Sequence, residues 1–357
     1  MDIIAIGALN FDYVFNLGGS NFEKSINQGE ENFSSNSRKS LELEIDALSA
    51  HIPCSVSFGG SSFNAIRSSY CINNQLETAF VGTYCMPTER EIAAGFSCHM
   101  DDIFSFLHDK KWLFLNCEKA PGIALVKTAQ GTRDSINIHT GINDHLRSLI
   151  IQHNSQNKDG AFAHYLASAK WIHLSSLADF SQFLFFINEI EKARDINPSL
   201  IVSIDPGYEY TKSYARELIR VFSVVNYVFL NAKELDNLIG HKKTVLKRKT
   251  MELCDYNKNP NLNTVFVIKK RDCHEFIFKF KDLPCCGVLW HKVLKKEEIF
   301  NDTGAGDTFA GGFIASMLHN NNIATSIKTG HAAATIRMCS RGDIYKDIHR
   351  GTQGMLF

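Results

Sequence analysis

The sequence carries no net charge: 38 Lys and Arg balance 38 Asp and Glu. That excludes broad electrostatic attraction to nucleic acid or to an anionic membrane. The densest basic run, His241-Lys242-Lys243 with Lys247-Arg248-Lys249, is short and reads as a solvated helix face or loop. None of the ten cysteines forms a CxxC pair, and no Cys/His cluster has zinc spacing. Most sit in apolar context, as buried thiols of a reducing compartment do. No apolar run is long enough to span a bilayer, and Met1-Asp2-Ile3-Ile4-Ala5-Ile6 lacks a basic leader region. There is no internal repeat and no low-complexity tract. The expectation is a cytoplasmic enzyme.

What is present is a large apolar fraction, 44% of 357 residues, enough for the core of one large α/β domain with an accessory part. Strand patterns recur at Ile3–Ile6, Cys54–Phe58, Ala79–Gly82, Gly122–Val126, Ser135–His139, Trp171–Leu174, Leu200–Ile204, Tyr227–Leu230 and Val265–Ile268. Helical patterns fall at Ser62–Ile72, Ile142–Gln152, Phe180–Asp195, Ser213–Phe222, Ala232–Ile239, Thr308–His319 and Ser326–Cys339. Alternation of this kind predicts a mostly parallel sheet with helices on both faces. Residues 18–50 differ: they are rich in Asn, Ser, Glu and Gly, and only Leu41–Leu48 looks helical. They read as a peripheral insertion.

The most informative stretch is Gly304-Ala305-Gly306-Asp307, followed by Phe309, Phe313, Ile314, Met317 and Leu318 at helix spacing. Small residues at a helix start leave backbone N–H groups and the positive dipole end free to meet an anion. A carboxylate there repels phosphate unless it has a task. The task indicated is a general base that aligns a hydroxyl against a phosphoryl group. Other polar groups follow predicted strands directly: Asn10 and Asp12, Gly59-Gly60 and Asn64, Ser175-Ser176, Asp205, Asn231 and Glu234. Ligands of open α/β sheets bind beyond strand carboxyl ends, so these groups predict a shared crevice.

These residues resemble the ribokinase-like PfkB family of carbohydrate and nucleoside kinases over nearly the whole chain. The resemblance rests on Ile4-Ala5-Ile6-Gly7-Ala8-Leu9-Asn10-Phe11-Asp12, Gly59-Gly60-Ser61-Ser62-Phe63-Asn64-Ala65, Asn231-Ala232-Lys233-Glu234 and Gly304-Ala305-Gly306-Asp307. It implies a single domain over 1–357, a three-layer α/β/α fold with a mostly parallel central sheet, and a small β lid from parts of 11–58 and 120–140. Asp307 matches the catalytic base, and Gly304, Ala305 and Gly306 match the anion hole. Asn10, Asp12, Gly59, Gly60 and Asn64 match sugar contacts. Asn231 and Glu234 match the NxxE motif that organises Mg²⁺ near the nucleotide, and His331 lies in a helix that borders adenine. The implied cofactors are ATP and Mg²⁺.

Two departures stand out. Asn301-Asp302 precedes the glycine loop where the family has an Asp and a small hydroxyl or Pro, which leaves a monovalent cation open. Val267-Ile268-Lys269-Lys270-Arg271-Asp272-Cys273 lacks the two glycines found near the nucleotide, so either Lys269, Lys270 or Arg271 is a candidate phosphate contact instead, or the grip on the nucleotide is altered. The expected activity is ATP-dependent phosphorylation of a hydroxyl on a small sugar-like substrate, by a monomer or homodimer. The alternatives are a nucleoside acceptor, with Phe11, Phe58 and Phe63 stacking on its base, or a kinase-like binding or regulatory module.

Overall fold

The structure, a computed structural model, describes residues 1–17, 30–33, 37–116, 119–129, 132–156, 160–175, 177–239, 264–280 and 283–353. The basic run at 241–249, Ser176 and much of the 18–50 insertion lie outside the described residues. The strands are β1 (Ile3–Ile6), β2 (Asn10–Asn16), β3 (Glu30–Phe33), β4 (Cys54–Gly59), β5 (Thr78–Tyr84), β6 (Leu113–Leu115) and β7 (Gly122–Ala129). They continue as β8 (Thr132–His139), β9 (Trp171–Ser175), β10 (Ile201–Asp205), β11 (Tyr227–Asn231), β12 (Val265–Lys269), β13 (Cys273–Phe280) and β14 (Leu283–Trp290). This is the mostly parallel α/β class that the alternating pattern predicts.

The chain divides into two compact units, with the border inside β1. One unit is Met1–Ile4 with Ile151–Val293. Its strands run in the order β14-β13-β12-β11-β10-β9-β1. β9 to β12 pair in parallel, and β12, β13 and β14 pair antiparallel. β9 is buried at every position, as an apolar run covered on both faces must be. The helix Phe180–Ile196 starts where the Asp179 carboxylate accepts the Gln182 N–H at 2.9 Å. The helix expected at Ser213–Phe222 is found as Ala215–Val221, and a second helix that the sequence did not suggest, Gly207–Ser213, precedes it with a break at Tyr214. Stacking explains the break: the Tyr214 ring lies 4.3 Å from that of Phe180.

The other unit is Ala5–Ile150 with Leu294–Phe357. It holds β1-β5-β6 and a second sheet in the order β3-β8-β7-β2-β4. The segments expected to form a lid supply this second sheet. β2 was not among the strands expected from the sequence, which had Asn10 and Asp12 only as polar groups following β1. Phe11, Tyr13 and Phe15 are wholly buried and alternate with Asp12 and Val14, the period-2 pattern of a strand. The helix expected from Ile142 begins as a 3₁₀ turn, Gly141–His145, before Leu146–Gln156. A last helix, Ile344–Thr352, was not expected from the sequence. Among the described residues no helix is long and apolar enough to cross a membrane.

Candidate active site

Asp307 is the third residue of the helix Ala305–Leu318. Gly304 precedes the helix with φ +76°, a left-handed conformation that glycine adopts without strain. The Ala305 N–H donates to Asp302 O at 3.1 Å, and the Thr308 N–H to Gly304 O at 2.9 Å. Within the first turn the Gly306 and Asp307 N–H groups precede the first i→i−4 acceptor and make no intrahelical bond. Asn301 has a local task that its sequence position did not reveal: its Oδ1 accepts the Thr303 N–H at 2.9 Å and closes a turn.

The Asn64 Nδ2 donates to Asp307 Oδ2 at 3.1 Å, and the Tyr345 hydroxyl donates to Asn64 Oδ1 at 3.3 Å. Asn64 sits in the first turn of the helix Ser61–Ile72, its own N–H bonded to Gly60 O at 2.8 Å. Gly59 marks the crowding here: a Cβ on it would fall 2.8 Å from Asp12 Oδ2 and 3.4 Å from Asn64 Oδ1. The structure therefore brings Asp12, Gly59, Gly60, Asn64 and Asp307 together. Burial pushes the Asp12 carboxyl up to about 7; the charge of Asp307 adds to the rise and that of Arg337 opposes it.

Asn10 differs from the others. It is 6% exposed, and its Oδ1 accepts from Asn143 Nδ2 at 3.2 Å. Asn143 also accepts the Leu9 N–H at 3.1 Å and donates to Leu9 O at 2.9 Å, so Asn10 braces the turn between β1 and β2. Asn143, Arg337 and Tyr345 escaped the sequence reading because nothing in their neighbourhoods forms a motif. His331 lies on the helix Ile323–Cys339, with its Nε2 3.4 Å from Thr335 Oγ1.

The Asp12 shift predicts a pH dependence. The unfolded chain's carboxylate titrates near 3.9, whereas the folded protein holds this proton to about pH 7. The contribution of Asp12 to stability is thus complete below about pH 4 and is lost as pH rises through about 7. Asp12→Asn is expected to flatten that part of the profile in denaturant titrations at acid and neutral pH. An unchanged profile would show that Asp12 titrates normally.

In the other unit, β9 to β12 end in Ser175, Asp205, Asn231 and Lys269. Asn231 and Glu234 form a reciprocal cap: the Asn231 N–H donates to Glu234 Oε2 at 2.7 Å, and the Glu234 N–H to Asn231 Oδ1 at 3.0 Å. Glu234→Ala should cost about 1 kcal/mol through this cap, measured by urea unfolding; an unchanged midpoint would contradict the capping role. The Lys269 Nζ pairs with Asp205 Oδ2 at 2.7 Å, both side chains largely buried. Lys270 pairs with Glu275 across the turn from β12 to β13. Both lysines of the glycine-poor turn thus already have carboxylate partners.

Phe11, Phe58 and Phe63 are at most 8% exposed. Phe58 meets Phe11 and Phe63 edge to face at 5.1 and 5.9 Å, and Phe63 packs on Phe80 and Phe104. The three rings are core, with no face left for a base.

Residues 118–349 match the family described as pfkB family carbohydrate kinase. Among solved structures, adenosine kinase from Anopheles gambiae superposes with a TM-score of 0.75 at 18% identity, over 97% of this chain and 98% of that one. Ribokinase from Giardia lamblia gives 0.70 at 17%, over 99% and 98%. Burkholderia thailandensis nucleoside kinase, in complex with inosine, gives 0.66 at 14%, over 99% and 96%. No curated protein sequence matches the chain. The likeness to solved structures establishes the ribokinase-like fold, and the family match, which covers well over half the sequence, establishes that the chain belongs to the pfkB family of carbohydrate kinases.

Proposed function

We propose that the chain transfers the γ-phosphoryl group of ATP to a hydroxyl of a small sugar or of the sugar of a nucleoside, with Asp307 as the base. The observation that carries this is the Asn64–Asp307 hydrogen bond at 3.1 Å, at the N-terminal turn of a helix and beside Asp12. Asp307 takes the acceptor's proton while Asn64 holds its carboxylate. The Gly306 and Asp307 amides meet the charge on the transferring group, with Gly304 and Ala305 shaping the turn. Asp12 accepts hydrogen bonds from other acceptor hydroxyls. Gly59 and Gly60 let the acceptor approach the backbone, and Asn10 supports them through Asn143. The second sheet serves as a lid that excludes water, so that phosphate goes to the acceptor and not to solvent.

The oxygen donors of Asn231 and Glu234 suit Mg²⁺, which prefers oxygen and keeps several waters. Glu234 Oε2 already holds an N–H, so these residues would hold the ion through water. Mg²⁺ would neutralise phosphate charge. Lys269, shared with Asp205, presents a cation to the nucleotide, and His331 borders its base.

Burial removes Phe11, Phe58 and Phe63 as stacking partners for a base, and an acceptor panel decides between a free sugar and a nucleoside. The test is ADP release across pentoses, hexoses, sugar phosphates and nucleosides. Release with one acceptor should exceed the acceptor-free background by at least about 100-fold, because lid closure awaits the acceptor. Mg-ATP binding with acceptor-independent ADP release throughout would sink the proposal and mark a binding module.

A further inference from the structure

The loop that leads into the helix Ala305–Leu318 is fastened by the last turn of the helix Ile323–Cys339. Met338 O accepts the N–H groups of Phe300 and Asn301 at 2.7 and 3.2 Å. The Arg337 Nε donates to Thr303 O at 2.6 Å. The guanidinium also packs against Gly304: a Cβ there would fall 2.8 Å from Nε and Nη2 and 3.0 Å from Cζ. Arg337 is half-buried. Among the described residues it forms no ion pair within 4.0 Å, though its charge is felt by the buried Asp12 carboxyl. A half-exposed guanidinium keeps its remaining donors available to an anion beside Gly304. Placement in a last helical turn, where a cation relieves the dipole, accounts for its charge but not for its contact with Thr303 and Gly304.

We infer that Arg337 is the built-in cation of this loop: it ties Thr303 in place, sets a fixed positive charge beside Gly304, and makes a bound monovalent metal ion unnecessary there. The inference rests on the reading that Gly304–Asp307 receives the transferring phosphoryl group. A second cation within a few ångströms would be repelled by the guanidinium, and one lone pair of Thr303 O is already engaged by it. Arg337 is a positioning residue. It acts through the loop and through its field, which reaches Asp12.

The test compares full-length wild type, Arg337→Met and Arg337→Lys in potassium and in tetramethylammonium chloride at equal ionic strength. The thermal midpoint of the wild type is expected to be the same in both salts, and so is its turnover. Arg337→Met should lose roughly 10- to 100-fold in kcat, the scale of a misplaced loop, where a shift of about 1 Å can cost about 100-fold. Millimolar guanidinium chloride should restore part of that loss, which a merely structural role would not allow. Arg337→Lys keeps the charge without the planar contact and should fall between the two. A potassium-specific rise in the wild-type midpoint overturns the inference, as does unchanged kcat in Arg337→Met. If Arg337→Met does not fold, the wild-type midpoints and Arg337→Lys decide. Asp307→Asn assayed alongside separates the two levels: normal turnover there overturns the phosphoryl-site reading itself, whatever the salts show.

Discussion

Asp307→Asn is expected to lower kcat by about 100- to 10,000-fold, the range for loss of a positioned general base, while the protein stays folded. The amide has the shape of the carboxylate and can still offer an oxygen to Asn64 Nδ2, 3.1 Å away in the wild type. What it cannot do is take a proton. Removing the charge of Asp307 also removes one of the causes that raise Asp12. The titration of Asp12 should therefore move down toward the ordinary carboxylate range in the same variant. Steady-state kinetics and a pH titration of Asp12 by NMR check both. Normal turnover, or an unmoved Asp12, would remove Asp307 from the site.

Gly60→Ala is expected to have the largest effect on folding. Gly60 has φ +144°, a conformation that side chains strongly disfavour, and a Cβ there would lie 2.1 Å from Ala8 O. Ala8 O is a backbone atom and not the end of a flexible side chain. The backbone between β1 and β2 must shift, and with it the Gly60 carbonyl that holds Asn64 in its helical turn. The cost should be about 2–4 kcal/mol, within the range for strain at a special backbone position. Because Asn64 moves with the turn, KM for the acceptor should rise as well. Urea unfolding measures the first and initial rates the second. A stable variant with an unchanged KM would show that the turn can relax without disturbing the site.

Much of this was legible in the residues because the signals are local. Buried strands of the first unit announce themselves as apolar runs, and Gly304–Asp307 announces a helix start with an acid in its first turn. The Asn231–Glu234 spacing is a capping signature as well as a motif. β2 was missed because its alternating pattern begins at Asn10 and Asp12, which resemble the polar end of the preceding strand. Tyr214 ends a helix because its ring stacks on Phe180, a contact that no window of sequence contains. Arg337 and Tyr345 were invisible for the same reason. Each reaches a motif residue across a sequence gap: 34 residues for Arg337 to Thr303, and 281 for Tyr345 to Asn64.

The central claim is that a phosphoryl group passes from ATP to a hydroxyl held beside Asp307. ATP radiolabelled in its γ-phosphoryl group, incubated with the best acceptor of the panel and with wild type or Asp307→Asn, tests it most directly. The account predicts label in the acceptor with wild type and label left on ATP with the variant. Label released as inorganic phosphate whether or not the acceptor is present, or equal transfer by the two proteins, would contradict it.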